Sequence, residues 1–141
     1  MKDTLKTIET FIAKHHVMTL ATSCENLPQA CNLFYAYIGS GTLFAVASDP
    51  ETEHMRNVMQ NPSVAGTIVL ETKTVGKIEG VQFKGTMREA TAVEAAEYFR
   101  AYPYARVMAP KLWAVVPETM KLTDNRLGFG KKLTWTRTVS D

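Results

Sequence analysis

The chain has 141 residues, 45% of them hydrophobic and 21% charged, which suits one globular domain spanning 1–141 and excludes a disordered or fibrous protein. A formal net charge of +2 without a Lys/Arg stripe argues against nucleic-acid binding, and no apolar run is long enough to span a membrane. The polar N-terminus MKDTLKTIETFIAK lacks the continuous apolar core of a secretory signal, so a soluble cytoplasmic protein is expected. A disulfide between Cys24 and Cys31 is sterically conceivable, but two cysteines in this context favour reduced thiols.

The chain opens with a helix, because Leu5, Ile8, Phe11 and Ile12 recur at helical spacing behind Asp3 or Thr4 as a cap, and His15 and His16 close it. Val17–Ser23 reads as a strand, Glu25-Asn26-Leu27-Pro28 as a turn, and Ala30–Ile38 as a second strand apolar on both faces. Gly39-Ser40-Gly41 reverses the chain into a third strand, Thr42–Ala47. Asp49-Pro50-Glu51 then signals a helix with Asp49 at the cap, an apolar stripe of Met55, Val58 and Met59, and a stop at Asn61-Pro62.

Val64–Leu70 is the fourth strand and Thr74–Glu89 a long fifth one. Gly76, Gly80 and Gly85 within it suggest bends or bulges. Alternation puts Val81, Phe83, Gly85 and Met87 on one face and Gln82, Lys84, Thr86 and Arg88 on the other. Thr91-Ala-Val-Glu94 is a capping box opening a helix to about Tyr102, with Ala92, Ala95, Ala96 and Phe99 as its buried side. A short helical piece at 104–108, strand at 112–116 and 118–123 interrupted by Pro117, and a last strand Leu133–Thr138 complete the chain. Short, closely spaced strands outnumber the helices, which favours a mainly β fold: a small antiparallel barrel with helices at its openings.

Chemistry-bearing motifs are few. His15 and His16 are consecutive and diverge, and Cys24 and Cys31 lack zinc spacing, so no metal site is expected. No nucleophilic triad stands out, so catalytic residues stay unassigned. Gly128-Phe-Gly130-Lys131-Lys132 fails the phosphate-loop pattern because Leu133 replaces the Ser/Thr that would hold magnesium. Its two lysines are read equally as an anion contact or a solvated pair. At Ser48–His54 two readings are nearly even. One is an ordinary helix cap in which Asp49, Glu51 and Glu53 complement the dipole, and the other is a phosphate seat using free N–H groups with Ser48, Thr52 and His54.

The order of these segments — Pro28 turn, apolar strand, Gly turn, strand ending in Ser48, Thr52-x-His54, Asn61-Pro62 before Val64-Ala-Gly, then Gly80-Val-Gln-Phe-Lys-Gly85 — resembles the pyridoxamine 5'-phosphate oxidase-like FMN-binding split barrels over nearly the whole chain. Within that family, Thr123-Asp-Asn125 with Leu127-Gly-Phe-Gly-Lys-Lys132 and Trp135 is similar to a small group of uncharacterised bacterial proteins. The resemblance implies a homodimeric split barrel with FMN at the dimer interface. By position it places Cys31, Asn32, Leu33 and Phe34 beside the flavin and Ser48, Thr52 and His54 at its phosphate. The family commonly carries a basic residue where Cys31 stands and a lysine where His54 stands.

Gln82, Lys84 and Arg88 either contact the ring or form a solvated or dimer-facing polar side, Phe34, Tyr35 and Trp135 either stack on the ring or belong to the core, and Lys131 and Lys132 are candidates for added positive charge. The expectation is an FMN-dependent oxidoreductase acting on an unnamed small molecule. The alternatives are a flavin- or haem-binding module without turnover and a cofactor-free interaction protein.

Overall fold

The computed structural model describes residues 2–127 and 131–138. Helix α1 (Lys2–Ala13) leads into β1 (Val17–Cys24), β2 (Leu27–Ile38) and β3 (Leu43–Ala47), followed by α2 (Glu53–Gln60) and β4 (Ser63–Val69). Strand β5 (Glu79–Glu89), α3 (Ala92–Ala101), β6 (Leu112–Asp124) and β7 (Lys132–Thr136) complete the order. All strand pairings are antiparallel, in the sequence β3-β2-β1-β4-β5-β6-β7, and β3 pairs with β6 as well. Each of β1 to β6 therefore has a partner on both sides.

Period-two alternation builds the core. Met18 and Leu20 of β1, Val64 and Ile68 of β4, Val81, Phe83 and Met87 of β5, and Met120 and Leu122 of β6 point inward and are buried. Phe44 stacks on Phe83 at a centroid distance of 5.2 Å. Ile8, Phe11 and Ile12 of α1 and Met55 and Val58 of α2 close this core. A second cluster forms where Tyr98 of α3 covers Ala36, Ala45 and Leu112 on the outer side of β2, β3 and β6.

Several boundaries differ from the sequence expectation for identifiable reasons. Asp3 and Thr4 lie inside α1 and do not cap it. The first hairpin turns on Glu25 and Asn26 alone, both at positive φ, so Leu27 and Pro28 already belong to β2. Asp49-Pro50-Glu51 forms a separate turn, and α2 starts at Glu53 behind Thr52, whose hydroxyl accepts from the Met55 N–H. Met59 is 58% exposed and drops out of the apolar stripe. Residues 75–77 make a 3₁₀ turn, so β5 begins only at Glu79. In α3 the buried residue is Tyr98, while Ala92 and Ala96 are exposed. The last strand ends at Thr136, and Arg137 then donates to the carbonyls of Pro117, Gly41 and Thr42.

Pro117 does not interrupt β6. Lys84 pairs with Thr119 and Gly85 with Pro117, leaving Glu118 as the extra residue of a bulge. A Cβ on Gly85 would collide with the Val116 carbonyl and Pro117, which is why glycine stands there. The two cysteines are free: Cys24 pairs with Leu27 and Cys31 with Leu20. No helix among the described residues is long and apolar enough to cross a membrane.

Candidate functional site

The site follows from where β3 parts from β2. Their pairing covers only Tyr35–Ile38 against Leu43–Val46, because β3 ends at Ala47; its other edge pairs with β6 over Phe44–Ala47. Over Leu27–Phe34, β2 is therefore paired with β1 on one side and with no strand on the other among the described residues. Tyr35 donates its N–H to the His16 carbonyl at 2.9 Å, and antiparallel alternation then turns the backbone groups of Leu33, Cys31 and Gln29 toward β1. Those of Phe34, Asn32 and Ala30 turn to the open edge. Pro28 has the same parity, so its missing N–H costs the β1 ladder nothing.

The four consecutive residues Cys31–Phe34 thus separate by direction. Cys31 and Leu33 pack against the core, and burial pushes the Cys31 thiol up, so it stays protonated at neutral pH. Asn32 and Phe34 are exposed on the outer face. The Asn32 Oδ1 accepts from the Thr19 hydroxyl at 3.0 Å, and Phe34 meets Tyr102 edge-on at 5.7 Å. Tyr102 in turn donates to the Tyr35 carbonyl at 2.6 Å.

Ser48, Thr52 and His54 do converge, at the corner where the chain leaves β3 for α2. His54 Nε2 lies 2.6 Å from the Ser48 Oγ and 3.2 Å from the Thr52 Oγ1. The Thr52 hydroxyl donates to the Asp49 carbonyl and accepts from the Met55 N–H, so it has little capacity left. Burial pushes the His54 imidazole below its usual pKa, which makes it neutral at pH 7. Ser48 is anchored on both sides: its N–H reaches the Lys111 carbonyl and its own carbonyl accepts from the Trp113 Nε1 at 2.8 Å. A cavity of about 540 Å³ opens beside it, lined by Ala47–Pro50 and Met108–Lys111. Trp113 carried no signal of this role in the sequence, where it reads as an ordinary strand aromatic.

Gln82 and Lys131 are not part of that corner. Gln82 sits in a shallow trough of about 520 Å³ on the outer sheet face, whose lining includes none of Ser48, Thr52 and His54. The registers align Asn32, Thr19, Thr67, Gln82, Lys121 and Thr134 in one polar row across six strands. The adjacent row, Ala30, Ala21, Ala65, Lys84 and Thr119, is small-sided apart from Lys84. Alternation in β1, β4 and β6 is the signal that would have exposed Thr19 and Lys121 as neighbours of Gln82. Lys131 is exposed just before β7, and Gly128, Phe129 and Gly130 of the glycine-lysine motif lie outside the described residues. Trp135 is half-buried against the core.

A UPF0306 protein of Klebsiella pneumoniae is 40% identical over 139 residues, covering 96% of this chain and 95% of its own. Among solved structures, a heme binding protein from Mycobacterium smegmatis superposes with a TM-score of 0.75 at 21% identity, over 90% of this chain and 55% of its own length. A FAD-binding protein from Mesorhizobium loti gives 0.71 at 13% identity, over 84% of this chain and 90% of its own. These two likenesses show the fold. The model of the pyridoxamine 5'-phosphate oxidase family matches residues 4–138, and the chain belongs to that family.

Proposed function

We propose that the chain is a homodimeric flavoprotein of the split-barrel type, binding FMN and acting as an oxidoreductase on a small molecule. The observation that supports it best is the open β2 edge running toward the Ser48–His54 corner, in a chain of this family. Along that edge the N–H groups of Asn32 and Phe34 alternate with the carbonyls of Ala30 and Asn32, about 7 Å per donor repeat. Such a row suits the alternating acceptors and donors on the rim of a flat heterocycle. Phe34 and Tyr102 offer an aromatic wall at one end, and the Ser48 hydroxyl can orient the ligand's tail. A bound flavin would supply hydride and single-electron chemistry, and the protein would supply position and surroundings.

In this reading the ring of pairings is the split barrel, and the polar row through Thr19 and Gln82 with the small-sided row through Ala65 is where a second copy packs. The Thr123–Asn125 and Lys131–Lys132 segments would then be marks of the UPF0306 group. The haem alternative draws on the mycobacterial neighbour's description, but the His54 Nε2 that would have to hold the iron is already engaged by two hydroxyls. The test is the absorbance spectrum of the purified protein, followed by titration with FMN and reduction of the bound flavin by NADH or NADPH. Micromolar binding with donor-dependent bleaching supports the oxidoreductase reading. Binding without reduction reduces it to a carrier, and a protein that ignores FMN overturns it.

A further inference from the structure

The corner that would receive the flavin's tail is unusual for an anion site in its charges. Its three side chains are already committed to one another, Ser48 and Thr52 both meeting His54 Nε2. The turn that carries them bears three exposed carboxylates, Asp49, Glu51 and Glu53. Two cations stand near, and both have other partners. Lys111 lines the cavity beside Ser48, but its Nζ is 2.8 Å from the Glu89 carboxylate and lies over the Trp113 ring. Arg56 donates to the Glu51 carbonyl at 2.7 Å.

A phosphate entering here would meet three carboxylates of its own sign and a buried imidazole, against one guanidinium, Arg56, whose charge the Glu51 carbonyl does not neutralise, and the Glu89-paired Lys111. An uncharged polyol avoids that repulsion. The Ser48 hydroxyl, which still has accepting capacity, can bond a ligand O–H as readily as a phosphate oxygen.

We propose that this corner selects a flavin with an uncharged, hydroxyl-bearing tail, so that phosphorylation of the tail adds little or nothing to binding. The inference rests on the flavin reading above and concerns only which flavin is held. It separates the ring, recognised by the β2 edge, from the tail, recognised by hydroxyl groups at Ser48.

The experiment compares riboflavin, FMN and FAD by fluorescence quenching of the full-length protein at low and high salt. Riboflavin is expected to bind at least one-tenth as tightly as FMN, and FMN binding should not weaken as salt rises, because screening relieves the carboxylate repulsion. A second measurement uses the exposed double variant Glu51→Lys/Glu53→Lys, which reverses the local field without touching the Ser48–His54 contacts. FMN should tighten about fivefold or more, with riboflavin unchanged. An FMN preference above about tenfold in the unaltered protein, or a double variant whose FMN affinity does not move, overturns the proposal while leaving the flavin reading intact. Failure of all three flavins to bind overturns the flavin reading itself.

Discussion

Substituting proline on either side of one residue boundary in β2 tests whether its outer edge is open. Ala30 directs its N–H away from β1, is exposed and makes no side-chain hydrogen bond, so Ala30→Pro removes a donor that no strand uses. The expected cost is about 1 kcal/mol, mainly from adjusting the strand's φ toward the proline value. Cys31 directs its N–H to Leu20, which is fully buried. Cys31→Pro deletes that bond, leaves the Leu20 carbonyl unsatisfied at about 1–3 kcal/mol, and forces the ring into the ladder, for a total of about 3 kcal/mol or more. Urea unfolding followed by far-UV circular dichroism measures both. At about 2–5 °C per kcal/mol for a domain of this size, the two variants should also separate clearly in thermal melts. Equal losses would mean that the Ala30 N–H has a structural partner, and the edge proposed to receive a ligand would not exist.

Other consequences are independent of any ligand. Gly85→Ala places a methyl against the Val116 carbonyl and Pro117 at the β6 bulge, and should cost about 2–3 kcal/mol in chemical denaturation. Glu94 closes the capping box of α3 and pairs with Arg88 at 2.8 Å, which holds its carboxyl down at about 2. Its contribution is complete above the unfolded value of 4.5 and is lost as pH falls toward 2; with Arg88 half exposed, about 1–2 kcal/mol is expected, and Arg88→Met should flatten that part of the profile. His54 shifts in the same direction for a different reason, since burial disfavours its charged form. Burial lowers its pKa below 6.5, so folding loses stability as pH falls below 6.5 until the folded imidazole itself protonates. An NMR titration of the imidazole should show a midpoint below 6.5, and a midpoint above it would mean that an anionic partner faces the ring.

Much of the fold was legible because alternation and turn chemistry are local. The faces of β5 could be read residue by residue, since Val81, Phe83, Gly85 and Met87 sit two apart and side-chain burial follows that period. The capping box at Thr91–Glu94 was equally plain, because both of its hydrogen bonds lie within four residues. Asp49 misled for a related reason. An Asp-Pro-Glu run signals a helix start locally, but the Asp49 carboxylate is spent on the Glu51 N–H, and Thr52 takes the cap one turn later. Pro117 also misled, since whether a proline ends a strand or rides a bulge depends on the opposing strand, here on Gly85.

The candidate site divides along the same line. Local sequence alone brings Ser48, Thr52 and His54 to one corner, because a strand end, a turn and a first helical turn keep them within seven residues of one another. It also determined which residues of β2 and β5 share a face. The tertiary structure alone shows that the five-residue β3 reaches back along β2 only to Tyr35, which leaves the edge of Leu27–Phe34 open, and that β6, 65 or more residues further along the chain, takes the other edge of β3. It also decided that Trp113 anchors Ser48 and that His54 is buried and neutral. Charge state and edge exposure depend on what packs alongside, and the partners that set them are distant in sequence.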